Sequence, residues 1–225
     1  MRHHTLPGIA ATTVLLVGAL GGHAVSSAAT SKNCFGHHPT IVGTKGNDTL
    51  KGTKGPDVIL GLGGDDVIKG GGGSDYICGD FGADVIKGGR GADHVSGSMG
   101  NDRLLGNRGQ DVVRGGPNDD VIKGGKKHDR LSGGAGNDII HGGRAGDRIA
   151  GGADTDVLGG GRGSDRIYGS LGDDTLVAGT GADHLIAGDG DDSLNALDGV
   201  GDDVVRGGAG NNTCTADPTD KTKNC

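Results

Sequence analysis

The sequence predicts an all-β fold, a solenoid of stacked parallel strands, and three observations predict it. From Gly43 to Asn195 the chain repeats a nine-residue unit seventeen times without a break in phase, beginning GTKGNDTLK, GTKGPDVIL, GLGGDDVIK. The sixth position is aspartate and the eighth a branched aliphatic in every one of these units. The 225 residues include 52 glycines, no tryptophan and two each of tyrosine and phenylalanine, so large side chains cannot fill an ordinary core. A fixed period of this kind sets the architecture before any local propensity is considered.

Residues 1–29 read as a signal peptide: Arg2, His3 and His4 make a weakly positive start, Ile9 to Leu20 is apolar but short for a bilayer span, and Ser26-Ser27-Ala28-Ala29 offers a cleavage site. The mature chain is therefore expected to be secreted and extracellular, with no membrane span. Residues 30–42 form a leading segment expected to cap the first repeat. Residues 43–206 are the repeat array, and 207–225 a cap or a partly disordered tail, polar and containing Pro218.

Within a unit, glycine is common at positions one, two and four, where it permits positive φ. Positions one to six are expected to form a turn and the last three a short strand whose middle residue alone points inward. Two units then make an eighteen-residue coil with a strand on each side, giving about eight and a half coils. The hydrophobic contribution of one aliphatic per unit is thin for a chain that must order so much backbone.

Stacking at eighteen residues places Asp48, Asp66, Asp84, Asp102, Asp120, Asp138, Asp156, Asp174 and Asp192 in one column. A second column holds Asp57, Asp75, Asp93, Asp111, Asp129, Asp147, Asp165 and Asp183. Aligned carboxylates repel unless a cation lies between them. A hard divalent ion takes six to eight oxygens from carboxylates and backbone carbonyls, a demand that suits calcium better than magnesium, which keeps its water and stricter geometry. One ion between each pair of stacked turns allows at most about fifteen. The expected consequence is a chain disordered where calcium is scarce and folded where it is abundant.

The unit resembles that of the hemolysin-type, or repeats-in-toxin (RTX), calcium-binding family, whose pattern is G-G-x-G-x-D-x-U-x. The resemblance covers about two thirds of the chain and implies a right-handed parallel β-roll with calcium between stacked turns. The chain is similar to stand-alone secreted members that lack an attached toxin or enzyme domain. It departs from the pattern where Asn118, Lys127, Ala145 and Asp154 replace the fourth-position glycine, so sites between Gly115 and Asp156 are expected to be weaker or empty.

Four cysteines in a secreted chain read as disulfides, and three connectivities are possible. Proximity favours Cys34–Cys78, pinning the leading segment over the first rungs, and Cys214–Cys225, closing the other end. Both ends of a solenoid need such caps.

Net charge is −7, every acidic residue is aspartate, and Lys69, Lys87, Arg114 and Lys123 occupy variable positions. That distribution suggests a solvated face rather than a basic patch, and it argues against nucleic acid or anionic membrane as partner. No histidine pair has helical metal spacing, and neither H-E-x-x-H nor G-x-S-x-G occurs, so no enzymatic activity is expected. The reading is a secreted calcium-binding protein. A calcium-dependent adhesion or surface-assembly module is the alternative, drawing on outward valines at position seven (Val58, Val67, Val85, Val112, Val121) interrupted by Arg103, Arg130, Arg148 and Arg166. Ice binding ranks last, because positions three and five vary too freely for a regular row.

Overall fold

The computed structural model describes residues 15–16, 33–200 and 202–225, the first two as backbone only. The described strands form two parallel sheets: a long sheet of twelve and a short sheet of ten. Successive repeats alternate between them. Thus Val58–Gly63 lies in the long sheet, Val67–Gly72 in the short one and Tyr76–Phe81 in the long one again. Within the regular array each strand pairs with the one eighteen residues away, as Ile68 with Ile86 and Ile77 with Val95. The ten rungs of the short sheet mark about ten coils, somewhat more than the regular array alone supplies.

Position eight fills the space between the sheets. Ile59, Ile68, Ile77, Ile86, Val95 and Leu104 each have zero relative exposure, and the column runs on to Val205. A single file of branched side chains suffices because the two sheets meet through one inward residue per strand.

The strands are longer than three residues. A typical one, Val85–Arg90, continues through the first three positions of the next unit, leaving positions four to six as the turn. Pairing persists there because stacked glycines keep the backbones in register, as Gly71 with Gly89 and Gly72 with Arg90. Glycine also plays two distinct parts. At positions two and four the backbone enters the left-handed region, as at Gly71 (φ 112°) and Gly73 (φ 103°). At position one it does not, and glycine there answers to close approach instead.

The ends are capped as proximity suggested. Cys34 bonds Cys78 and Cys214 bonds Cys225. Phe35 and His37 lie on Tyr76, with the His37 and Tyr76 rings stacked at 4.0 Å, while Ile41–Val42 pairs with Ile59–Leu60. At the far end the polar tail is ordered, and Lys221–Lys223 adds a strand beside Val204–Arg206. Within the expected leader only Leu15–Leu16 is described, paired with Ile41–Val42; the rest of that segment lies outside the described residues. Among the described residues no helix is long and apolar enough to cross a membrane.

Candidate metal centre

Each sixth-position aspartate turns its side chain into the roll. All from Asp66 to Asp192, together with Asp203, are at most 3 % exposed. Their two carboxylate oxygens have different fates. Oδ1 accepts the backbone N–H of the aspartate one coil earlier, as from Asp66 to Asp84 at 2.8 Å and from Asp111 to Asp129 at 2.8 Å. These bonds form a continuous ladder along each column. Oδ2 is buried and has no hydrogen-bond partner in sixteen residues, fifteen from Asp66 to Asp192 plus Asp203. A buried charged oxygen without a partner is costly enough that proteins avoid even one.

The first-position glycine faces that oxygen. A Cβ on Gly70 would lie 2.5 Å from Asp75 Oδ2 and 2.6 Å from the carbonyl oxygen of Gly88, one coil further on; on Gly106 the distances to Asp111 Oδ2 and the Gly124 carbonyl would be 2.5 and 2.8 Å. A carboxylate from one coil and a carbonyl from the next therefore converge on the same small volume. Hard oxygens of this kind are the donors calcium takes, at about 2.3–2.6 Å. No three histidine, cysteine or carboxylate side chains cluster among the described residues, so an ion held here would complete its shell from backbone carbonyls. The donor set fits calcium. Alanine replaces this glycine at Ala178, Ala187 and Ala196, where its methyl is buried beside the last coils.

Burial raises the carboxyl pKa values. Desolvation pushes Asp84 up to about 7 against the lowering N–H bond from Asp66, and the charges of Asp102, Asp66 and Asp65 raise it further. Asp129 is pushed by desolvation up to about 8, with Asp111 and Asp147 adding to it. All sixteen residues with an orphaned Oδ2 shift upward, burial being the first cause in each. In the metal-free chain these columns resist being charged.

Two of the aspartates singled out from the sequence differ. Asp48 Oδ2 accepts from Thr44 N (2.6 Å) and Thr44 Oγ1 (2.9 Å), and Asp57 Oδ2 accepts from Thr53 N (2.6 Å) and Thr53 Oγ1 (3.0 Å). Threonine at position two satisfies in the first coil what is left open elsewhere. Conversely, the columns extend past the regular array. Asp183 N donates to Asp203 Oδ1 and Asp203 N to Asp220 Oδ1, while Asp192 N donates to Asn212 Oδ1. Asp203 and Val205 fit the two fixed columns in the sequence despite two extra residues before them, but the period conceals Asp220, whose unit is one residue short.

The substitutions at position four leave the turn intact. Asn118, Lys127, Ala145 and Asp154 adopt φ of 83°, 77°, 75° and 75°, the glycine conformation, and Asp120, Asp129, Asp147 and Asp156 stay buried with Oδ2 open. The backbone strain is borne without loss of the carboxylate geometry.

Fold and site together define a parallel β-roll whose turns present ordered, buried oxygen donors for cations. The RTX calcium-binding nonapeptide repeat matches residues 42–77, 78–113, 114–149, 146–167, 168–200 and 197–217, and the chain belongs to that family. It is a calcium-binding β-roll protein. No curated protein matches the chain.

Proposed function

We propose that this is an extracellular protein whose β-roll folds on binding several calcium ions, each held between stacked turns by the Oδ2 of a sixth-position aspartate and by backbone carbonyls of adjacent coils. The observation behind this reading is the set of sixteen buried Oδ2 atoms with no hydrogen-bond partner. Calcium would supply the positive charge that these columns lack, and the chain's own part is to aim and dehydrate the oxygens. Because the open oxygens belong to the coiled state, binding stabilises the fold by mass action. Secretion follows from the leader-like residues 1–29 and from two disulfides, which persist outside the reducing cytosol.

The test is circular dichroism of the chain from residue 30 onward, with disulfides intact, in metal-free buffer and in millimolar calcium, alongside calorimetric titration. Strong β signal only with calcium, and a stoichiometry of several ions up to about fifteen, is the expected result. Equal β content in both buffers at neutral pH defeats the coupling of folding to calcium.

A second reading, calcium-dependent surface assembly, draws on Phe81, Met99 and Leu171, each more than half exposed in one column of the long sheet. Sedimentation with and without calcium separates the two: a calcium-dependent increase in mass supports assembly.

A further inference from the structure

The same register that stacks the aspartates also sorts the cations. Read along the sequence, lysines and arginines look dispersed, but those of alternate repeats fall on one sheet. Arg90, Arg108, Lys126, Arg144 and Arg162 sit at position three of consecutive rungs of the short sheet and pair rung to rung, making an unbroken file of five exposed cations. A second file at position nine holds Lys51, Lys69 and Lys87, then Lys123 beyond Leu105. From Thr49 to Thr180 no aspartate occupies an outward position of this sheet, because the acidic residues lie in the turns. None of these cationic side chains forms an ion pair or hydrogen bond among the described residues.

Like charges directly opposite on neighbouring strands, about 4.8 Å apart, repel. Five in succession are a standing cost in a chain of net charge −7, and they form a face of sign opposite to the whole. Between the two files runs a shallow trough, with Lys123 on one side, Arg108, Lys126 and Arg144 on the other, and Gly124–Gly125 as floor. The glycine floor lets a ligand approach the backbone closely.

We propose that the outer face of the short sheet binds a linear acidic polysaccharide, lying along the solenoid axis with its carboxylates against the arginine and lysine files. The cation file advances one rung per coil, about 4.8 Å, and a sugar ring with its linkage advances a chain by a comparable length. Guanidinium groups pair with carboxylates bidentately, which suits the arginine-rich file. Other polyanions fit less well. Single-stranded nucleic acid is held by stacking on aromatic side chains, and no phenylalanine or tyrosine lies on this sheet. A duplex winds its phosphates away from a straight file. Anionic membranes are gripped by basic faces with aromatic or leucine-rich anchors; the exposed apolar side chains of this face, Val67, Ile139, Val157 and Val177, are short and β-branched. The inference depends on strand register and not on what fills the turns.

The test uses the full secreted chain at one fixed calcium concentration and low salt, with fluorescent oligogalacturonate as probe and neutral dextran, duplex DNA and phosphatidylserine vesicles as comparisons. Wild type should bind oligogalacturonate in a salt-sensitive manner and ignore dextran. The triple variant Arg108→Gln, Lys126→Gln, Arg144→Gln should bind roughly tenfold more weakly, as expected for three exposed ion pairs. A charge-matched variant on the long sheet, Arg130→Gln, Arg148→Gln, Arg166→Gln, should stay within about twofold of wild type. Arg108→Gln alone gives the same readout at smaller amplitude should the triple variant lose β signal. Absence of binding at low salt, an equal loss in the long-sheet variant, or tighter binding to DNA or vesicles overturns the proposal.

Discussion

Acid should fold this protein without calcium. In the metal-free roll, burial lifts the column carboxyls well above the 3.8 of a free aspartate, to about 7 at Asp75, Asp84, Asp120 and Asp165 and about 8 at Asp129. A group whose folded pKa lies above its unfolded one binds more protons when folded. Its penalty is absent below about pH 4, grows as pH rises, and is complete once pH passes the folded value near 7. The stabilising direction is therefore downward in pH, across the window from about 8 to about 4. For Asp84 the difference of roughly three on the pH scale corresponds to about 4 kcal/mol. After discounting for water entry and for protons shared between stacked neighbours, about 1 kcal/mol per carboxylate remains. The twelve groups lifted to between about 6 and about 8 still amount to about 12 kcal/mol. That is comparable to the whole stability of a typical domain, about 5–15 kcal/mol. The assay is far-ultraviolet circular dichroism of resin-stripped protein, with disulfides intact and in moderate salt to screen the cation files, titrated from about pH 8 to about pH 5. We expect β signal to appear as the pH falls, and calcium to be needed only at the upper end. An unchanged or weakening β signal on acidification would refute the argument that buried carboxylate charge is what keeps the metal-free chain open.

Three further outcomes follow from single sites. Asp129→Asn keeps the Oδ1 that accepts Asp111 N–H but loses the charge, so it should stabilise the metal-free chain by about 1 kcal/mol and lower the calcium stoichiometry by about one, read by denaturant titration and calorimetry. Ile122→Ala opens the fully buried file between the sheets and should cost about 2–5 kcal/mol in calcium, measured as a lower urea midpoint. Replacing Cys34 and Cys78 by serine frees a loop of 44 residues and should cost about 4 kcal/mol by chain entropy, visible as a fall in Tm at saturating calcium.

Much of the roll was legible from the chain alone. Asp84 and Ile86 could be assigned a turn and an inward place from their column, because a residue's role inside a repeat is fixed by its position in it. The disulfide pairs followed from proximity along the chain, at the two ends that lack a stacking neighbour. Other features were not legible. The strand from Val85 runs on to Arg90 because glycine backbones keep pairing across the unit boundary, which the local pattern of Gly88–Gly89 disguises as turn. Lys127 departs from the glycine pattern, yet its backbone takes φ 77°, at the end of a strand that is paired through Lys126 with its neighbours on both sides. Asp203 could be placed in its column despite two extra residues, but Asp220 could not, since the hydrogen-bond ladder tolerates a coil one residue short that a strict period does not.

By itself the sequence determined the unit: nine residues, one inward aliphatic, one turn aspartate stacked on its like, and therefore a coil with an affinity for a hard cation. Only the tertiary structure decided which residues become neighbours. A coil takes two units, so side chains eighteen apart meet across paired backbones while those nine apart are separated by the aliphatic file. That spacing leaves each Oδ2 facing a carbonyl of the next coil, and it turns lysines and arginines that look scattered in the chain into files, the longest of them, Arg90 to Arg162, on the short sheet.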